Sequence, residues 1–158
     1  GRSQGVMVNS GSSAVLLMLA AMVELGRLAP GDEVLCPAVT WSTSLFPIAQ
    51  CGLVPVMVDV DPRTLCIDPV SAKAARSPRT KAVLAVHLLG QPADMAAFED
   101  LLILEDACGA HGAVHNGRRV GGIGDIDGIC GNSAASVAFQ FAVPIAVCNR
   151  LSLVPIPG

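Results

Sequence analysis

The polar turn NSGSSA at residues 9–14 is the first feature that could do chemistry, because an apolar helix follows it. Free backbone N–H groups and the positive end of a helix dipole attract anions, and the small side chains of Gly11, Ser12 and Ser13 let a phosphate come close. The turn lacks the Gly-Lys-Ser/Thr of a Walker loop. It predicts either a phosphate site or an ordinary helix that Ser10 caps.

Polar and aromatic side chains at the ends of apolar runs are the second feature. Glu105 and Asp106 close the apolar run at residues 101–104, and Trp41, the one tryptophan, follows the run at residues 33–37. In a parallel sheet such ends share the edge where ligands bind. A carboxylate there needs a cationic or N–H partner, and a ring there can stack on a planar ligand. With the phosphate turn, they suggest a flat, phosphorylated, cationic heterocycle, although a turn acid and a core ring are the alternatives.

Two other patterns point to loops rather than to sites. Residues 122–128 resemble a dinucleotide fingerprint, but the third glycine comes one place late and no helix clearly follows, which favours a turn. Cys108, His111 and His115 are three soft ligands, whereas a zinc site needs a fourth. Because Asn116 begins a turn, the two histidines are expected on different faces, and we expect no metal site.

Short apolar runs bounded by turn residues predict the elements that position these side chains. A helix that opens at Ser12 should end near Leu28. Nearly continuous apolar strands between helices are typical of an α/β fold with a mostly parallel sheet covered on both faces. At the strand ends, Asp61 and His87 should lie at the same edge as Asp106. The other predicted strands are residues 33–37, 54–60, 82–89 and 101–105, and the other helices are residues 42–50, 69–76 and 95–100.

Two segments depart from this alternation of strands and helices. Only 11 residues lie between Leu89 and Leu101, which is short for a parallel crossover that contains a full helix. From Asp127 onward the only charged residues are Asp127 and Arg150, and three prolines interrupt the apolar sequence. Neither an amphipathic helix nor a set of alternating strands is predicted for that tail.

Composition excludes several classes of function. The 158 residues are 52% hydrophobic and 15% charged, which is typical of a folded domain with a sizeable core. A net charge of −3 and only two lysines argue against a nucleic-acid partner. The longest apolar run, residues 14–23, is shorter than the about 20 residues that span a bilayer. None of the six cysteines forms a CxxC pair, so we expect reduced thiols and a cytoplasmic protein.

Several sequence blocks, taken in order, resemble one family. They are NSGSSA, PGDEVLCPAVTW, GLVPVMVDVDPRTLCIDP, SPRTKAVLAVHLLGQPADM, LLILEDACGAHGA and GRRVGGIGDI. The pattern is similar to the DegT/DnrJ/EryC1/StrS family of pyridoxal phosphate (PLP)-dependent sugar aminotransferases. The resemblance implies part of the large domain of a fold-type I PLP enzyme over residues 1–126, with a three-layer architecture. It also implies PLP as cofactor, a nucleotide-linked keto sugar as substrate, an amino donor such as glutamate, and a homodimer.

The resemblance also implies the roles of individual residues. The helix start at Gly11, Ser12 and Ser13 would bind the cofactor phosphate, and Trp41 would stack on the pyridine ring. Asp106 would pair with the pyridine nitrogen and keep it protonated, so that the ring withdraws electrons. His111, in the stretch AHGA, would support the site without a chemical role.

Three departures from the family pattern bear on activity. Gly109 stands where the family usually has Gln, so one cofactor contact is expected to be lost. The helix before Leu101 is several residues short. The resemblance ends after Ile126, although the lysine that forms the Schiff base would follow, and the last lysine of this sequence is Lys81. We therefore name no catalytic residue and expect residues 127–158 to be a divergent tail, the product of a truncated gene or a changed reading frame.

Three functions stay open on the sequence. The first is the N-terminal part of a PLP-dependent sugar aminotransferase, without transamination by this chain alone. The second is a sugar 3-dehydratase of the same family, in which histidine replaces the lysine; the block PAVTWSTSLFPIAQCGLVPV leans toward that branch. The third is a non-catalytic, degenerate fragment that survives as a pairing module.

Overall fold

The computed structural model describes residues 5–130 and the strand at residues 137–141. Residues 131–136 and 142–158 of the expected tail lie outside the described part, and so do residues 1–4. The strands are β1 (Gly5–Val8), β2 (Glu33–Pro37), β3 (Val54–Val58), β4 (Thr80–Val86), β5 (Leu102–Asp106), β6 (Val114–His115), β7 (Arg118–Arg119), β8 (Ile126–Cys130) and β9 (Val137–Phe141). The helices are α1 (Gly11–Glu24), α2 (Ser42–Gln50) and α3 (Pro69–Ala75), with 3₁₀ turns at Leu88–Gly90 and Met95–Phe98.

Seven of the strands form one sheet in the order β1-β9-β8-β5-β4-β2-β3. The five strands from β8 to β3 are parallel, and β9 pairs antiparallel with both β8 and β1. One face of the sheet packs on α1 and α2 through residues such as Leu84 and Leu104. The other face packs on α3 and the second 3₁₀ turn through residues such as Val83 and Ile103. The predicted α/β fold with a mostly parallel, doubly covered sheet is confirmed.

Helix α1 begins where its cap was predicted and ends earlier than expected. The Ser10 hydroxyl oxygen accepts a hydrogen bond from the N–H of Ser13 at 3.1 Å, so the predicted cap is present. The helix stops at Glu24 rather than near Leu28, because Gly26 adopts a left-handed φ of +67° that ends the helical path. Leu28 nevertheless lies in the core.

The ends of several other elements also differ from the prediction. Strand β3 ends at residue 58 instead of 60, and α3 ends one residue early. Strand β4 stops before His87 rather than continuing to Leu89, because Leu89 and Gly90 turn the chain with φ of +51° and +85°. The helix predicted at residues 95–100 is only a 3₁₀ turn, as expected for so short a crossover. Strand β5 runs one residue later than predicted, so Asp106 is its last residue.

Strands β8 and β9 were not predicted. Strand β8 begins at Ile126 and pairs in parallel with β5, from Leu104 opposite Ile126 to Asp106 opposite Gly128. It therefore adds a strand beside the predicted ligand edge. Within the described residues, no helix has the length and apolar character that a membrane span requires.

Candidate functional site

The start of α1 is the first part of the candidate site. Gly11, Ser12 and Ser13 form its first turn, and the Ser13 hydroxyl donates to the side chain of Asn9 at 2.6 Å. The Ser13 N–H bonds the Ser10 cap, whereas no described residue accepts from the N–H of Gly11 or Ser12. Two backbone donors at the positive end of a 14-residue helix thus face no acceptor among the described residues.

The first turn of α2 connects α1 to the carboxyl end of β5. The hydroxyl of Ser12 donates to Thr43 at 2.9 Å, and the hydroxyl of Ser44, the next residue, donates to a carboxylate oxygen of Asp106 at 2.7 Å. Trp41 occupies the N-cap position of the same helix, and its side chain is 75% exposed. The structure therefore brings Ser12, Trp41 and Asp106 together around one helix start.

Asp106 is a buried carboxylate at the edge where ligands were expected. It is 6% exposed, and its second oxygen accepts a hydrogen bond from the N–H of Cys108 at 3.2 Å. A carboxylate has about four lone-pair positions, so two hydrogen bonds leave it able to accept another donor. The site therefore offers an anionic acceptor next to an exposed indole.

Glu105, the neighbouring acid, lies in a different environment. Its side chain is fully buried and accepts hydrogen bonds from the N–H of Gly121 at 2.8 Å, from that of Ile123 at 2.7 Å and from that of Gly124. The imidazole of His87 lies 3.2 Å from the same carboxylate. Burial raises the pKa of Glu105, but the hydrogen bonds from the imidazole and the three amides outweigh burial and lower that pKa below its usual 4.5. The carboxylate is therefore ionised at neutral pH.

His87 is buried beside Glu105, and its neighbours define which ring nitrogen carries the proton. The N–H of Ala93 donates to Nδ1 at 3.0 Å, so Nδ1 is the acceptor and Nε2 carries the hydrogen that faces Glu105. The backbone N–H of His87 donates to the carbonyl of Asp106 at 3.0 Å. As predicted, His87 follows a strand at the carboxyl edge of the sheet.

His111 lies apart from the other predicted site residues. It is exposed and lines a cleft of about 670 Å³ together with Arg118, Arg119 and Gly122. No hydrogen bond between described side chains joins it to Asp106. In the part of the chain that the structure describes, no three His, Cys, Asp or Glu side chains converge as a metal site would require.

Gly109 stands at the site edge with room for a side chain. A Cβ atom there would lie 3.6 Å from the carbonyl oxygen of His87 and 3.7 Å from the amide of Leu89, both ordinary contacts. Its φ is not left-handed. A side chain at Gly109 would therefore meet neither a clash nor a strained backbone.

Neither lysine of the sequence reaches this edge. Lys81 is the second residue of β4, at the amino end of the sheet, and its Nζ donates to the carbonyl of Pro78 at 3.0 Å. Lys73 lies on α3, on the face opposite α1 and α2. The site as described contains a carboxylate, hydroxyls, backbone donors and an indole, and no amine.

Sequence reasoning missed two residues of this site. Thr43 and Ser44 were placed on a helix but given no role. The polar triplet at residues 42–44, directly after Trp41, was the available signal. Glu105 was noted only as the neighbour of Asp106, because its amide donors lie 16 to 19 positions away in sequence.

Two relatives illustrate which proteins this sequence is similar to. GDP-4-keto-6-deoxy-D-mannose 3-dehydratase of Yersinia pseudotuberculosis is 46% identical over 132 residues, which cover 78% of this chain and 34% of the relative. L-glutamine:2-deoxy-scyllo-inosose aminotransferase of Streptoalloteichus tenebrarius is 44% identical over 125 residues, which cover 75% of this chain and 29% of the relative. The chain spans about a third of the length of these relatives.

A solved structure supports the same relationship. GDP-4-keto-6-deoxy-D-mannose-3-dehydratase of E. coli, with bound hydrated PLP, matches with a TM-score of 0.82 and 36% identity, over 91% of this chain and 42% of that one. The expected fold, part of the large domain of a fold-type I PLP enzyme, is thereby confirmed, and PLP is confirmed as a cofactor within the family. The sequence model of the DegT/DnrJ/EryC1/StrS aminotransferase family matches residues 1–130, four residues beyond the limit expected from the sequence blocks. The chain belongs to the DegT/DnrJ/EryC1/StrS aminotransferase family.

Proposed function

We propose that this chain provides the cofactor-binding part of a PLP-dependent aminotransferase that acts on nucleotide-linked keto sugars. The observation that carries the proposal is the first turn of α2, where hydrogen bonds link the start of α1 to Asp106 next to an exposed Trp41. The helix start, the carboxylate and the indole are the three kinds of group that a phosphorylated, cationic and aromatic cofactor requires.

The donors and acceptors of the site fit PLP. Within the part of the chain that the structure describes, the backbone N–H groups of Gly11 and Ser12 face no acceptor, as a phosphate-binding helix start requires. The buried Asp106 carboxylate retains acceptor capacity for the N–H of a pyridinium ring. When bound, PLP supplies an electron sink for negative charge that develops on the carbon bearing the amino group.

Each residue then has a defined task. Asp106 keeps a proton on the ring nitrogen, and Ser44 orients the carboxylate through its 2.7 Å hydrogen bond. Gly11, Ser12 and Ser13 bind the phosphate. Trp41 covers one face of the ring and excludes water from it. The supporting role that the resemblance implies for His111, which lines the cleft beside the loop after Asp106, stays a prediction.

We expect this chain to bind PLP but, by itself, not to catalyse transamination. Its two lysines lie away from Asp106, so it supplies no amine to bond the cofactor or to move the proton at the reacting carbon. The sugar substrate, the glutamate donor, the homodimer and the cytoplasmic location all belong to this proposal. The free thiols of Cys36, Cys51, Cys66 and Cys108 accord with that location.

PLP titration followed by tryptophan fluorescence tests the proposal, because Trp41 is the only tryptophan of the chain. We expect PLP to quench that fluorescence and Asp106→Asn to weaken binding about tenfold or more, since a hydrogen bond to a charged group contributes about 1.5–3 kcal/mol. Asp100→Asn is the matched control; Asp100 is exposed, pairs with Arg76 and should leave the affinity unchanged. Absence of quenching, or equal affinities for the two variants, contradicts the proposal.

The 46% identity to a sugar 3-dehydratase favours a second candidate, a PLP-dependent dehydratase in which histidine takes the place of the lysine. The coding DNA beyond codon 126, translated in all three frames, distinguishes the candidates. A serine-rich strand followed by lysine supports the aminotransferase, and histidine at that point supports the dehydratase. If no frame restores the family pattern, the chain is a non-catalytic pairing module.

A further inference from the structure

We propose that Glu105 and His87 are positioning residues for Asp106, although neither faces the site. This inference rests on the proposed function, in which Asp106 binds the cofactor. The proposal concerns the Glu105 cluster, which consists of the Glu105 carboxylate, the His87 imidazole and the backbone N–H groups of Gly121, Ile123 and Gly124.

The two acids project to opposite faces of β5. Side chains alternate along a strand, and Leu102 and Leu104 pack on the α1/α2 face while Ile103 packs on the other. Asp106 shares the first face and bonds Ser44 of α2. Glu105 shares the second face, so the carboxyl end of β5 is bonded from both sides.

His87 bonds to both acids at once. Its backbone N–H donates to the carbonyl of Asp106 at 3.0 Å, and its imidazole bonds the Glu105 carboxylate at 3.2 Å. The N–H of Ala93 occupies the remaining ring nitrogen at 3.0 Å. The ring is therefore fixed in one tautomer, and a shift of Glu105 would be transmitted to the backbone at Asp106.

The loop at residues 121–124 passes so close to Ile103 and Ile129 that two of its positions favour glycine. A Cβ at Gly124 would lie 2.7 Å from the carbonyl oxygen of Ile103, and one at Gly121 would lie 2.8 Å from Cδ1 of Ile129. Gly121 also has a left-handed φ of +76°. The pattern GGIG, which resembles a nucleotide fingerprint, thus binds the protein's own carboxylate.

The Glu105 cluster also joins the segment that connects β5 to β8 back to β5. That segment begins at Cys108, whose N–H donates to Asp106 at 3.2 Å, and it ends at the three amides that bind Glu105. Both ends of the segment are thus bonded to consecutive residues of one strand. Asp125 also joins the end of the segment to Ile103, through its N–H at 2.8 Å and its carboxylate at 2.9 Å. Loss of the Glu105 bonds should therefore loosen the segment without detaching it, and weaken one of the two bonds that orient the Asp106 carboxylate.

Glu105→Gln tests the proposal while it preserves the shape of the side chain. A Gln side chain has one acceptor oxygen, so its NH₂ group would face either the donors at Gly121 and His87 or the amides of residues 123 and 124. One pair of donors is left without an acceptor in a fully buried position.

Glu33→Gln is the matched control. Glu33 is also a buried carboxylate, 5% exposed, and it accepts hydrogen bonds from Ser77 at 2.5 Å, Thr80 at 3.0 Å and Arg79 at 2.7 Å. It begins β2, at the amino edge of the sheet, away from Asp106. Its replacement should lower stability without a change at the site.

Amide hydrogen exchange in the cofactor-free chain is the first measurement. Glu105→Gln should speed exchange of the His87 and Cys108 amides relative to the rest of the sheet, and Glu33→Gln should not. PLP titration is the second measurement: Glu105→Gln should weaken binding about tenfold, the equivalent of about 1.4 kcal/mol, whereas Glu33→Gln should bind as the wild type does.

The outcomes separate this proposal from the proposed function. If the wild type binds no PLP, the proposed function fails, and the exchange measurement still decides whether Glu105 positions Asp106. Unchanged exchange at His87 and Cys108 in Glu105→Gln overturns the positioning role. Equal effects of the two Gln variants on exchange or on PLP affinity also overturn it, because they indicate a general loss of stability.

A second pair of variants covers the case in which Glu105→Gln does not fold. His87→Leu removes one donor to Glu105 and keeps the three amide bonds. It should speed exchange of the Cys108 amide and weaken PLP binding, and His87→Gln, which can both donate and accept, should restore much of each. Identical behaviour of the two variants at position 87 contradicts the proposal.

Discussion

At the scale of single residues, two neighbouring acids of one strand lie in different environments because their side chains project to opposite faces of the sheet. Asp106 faces α2, is 6% exposed and accepts a hydroxyl and an amide, which leaves acceptor capacity for a ligand. Glu105 faces the other side, is fully buried and accepts hydrogen bonds from three amides and an imidazole. The same functional group thus retains acceptor capacity in one position and is held by four hydrogen-bonding groups in the next.

Gly109 provides the prediction that belongs to this scale. A side chain fits there because a Cβ would meet its nearest atoms at 3.6 and 3.7 Å. Gly109→Gln places the residue that the family usually has, so it should tighten PLP binding about fivefold to tenfold, as one added hydrogen bond of about 1 kcal/mol would. Fluorescence titration of Trp41 measures the change.

Gly109→Ala is the control for that substitution. It also adds a Cβ, without an amide, so the PLP affinity should equal that of the wild type. If Gly109→Gln and Gly109→Ala bind PLP equally, the amide makes no contact with the cofactor, and Gly109 does not occupy the position that the resemblance assigns to it.

At the scale of elements, the loop at residues 121–124 is held by close approach as well as by its hydrogen bonds. Gly121→Ala and Gly117→Ala separate the cost of a left-handed backbone from the cost of close packing. Both glycines have nearly the same φ, +76° and +77°, so the backbone cost should be the same in the two variants. A Cβ at Gly117 meets nothing within 4 Å, whereas one at Gly121 would lie 2.8 Å from the side chain of Ile129.

We expect Gly117→Ala to lower the free energy of unfolding by about 1 kcal/mol, the cost of a left-handed non-glycine residue. Gly121→Ala should lower it by about 1–3 kcal/mol more, because the added methyl overpacks the core beside Glu105. Urea unfolding measures both values. Equal losses in the two variants would mean that Ile129 moves aside at no cost.

Elements with local signals were predictable, and elements defined by distant partners were not. Strand β2 and helix α2 have their predicted bounds, since a proline-glycine pair and a tryptophan-serine step mark their starts. Strand β4 was predicted too long because the left-handed turn at Leu89 has no sequence signal. The bonds of Glu105 join residues far apart in the chain, so no periodicity reveals them. Strand β8, with the sequence IDGIC, shows no regular alternation of apolar and polar residues by which it could be recognised.

At the scale of the whole molecule, buried carboxylates sit at opposite edges of the sheet. Glu33 is bonded at the amino edge, while Glu105 and Asp106 are bonded at the carboxyl edge. Glu33 is therefore bonded away from the candidate site, at the other edge of the sheet. Variants at the amino edge can report on folding without a change in ligand binding, which is why Glu33 serves as a control for Glu105.

Acid sensitivity is the property of the whole molecule that follows from these carboxylates. Among the described residues, the pKa lies below the usual value for Glu33, Asp61, Asp68, Asp100 and Glu105. A group whose pKa is lower in the folded state contributes stability above its unfolded pKa and loses that contribution as the pH falls through the folded value. Stability should therefore decline as the pH drops below about 4.5, the usual value for Glu.

Asp61 permits a precise form of this prediction. Hydrogen bonds from the Arg63 side chain, at 2.7 and 3.2 Å, and from its backbone lower the pKa of Asp61 from 3.8 to about 2. Asp61→Asn should therefore be less stable than the wild type at pH 6, and the difference in urea midpoint should shrink as the pH falls from about 4 to about 2. Arg63→Gln keeps the carboxylate without the cation, so the pKa of Asp61 should return toward 3.8 and the contribution of this group to stability should lose most of its dependence on pH. A difference between Asp61→Asn and wild type that stays constant from pH 6 to pH 2 would mean that the Arg63 pair does not stabilise the folded chain.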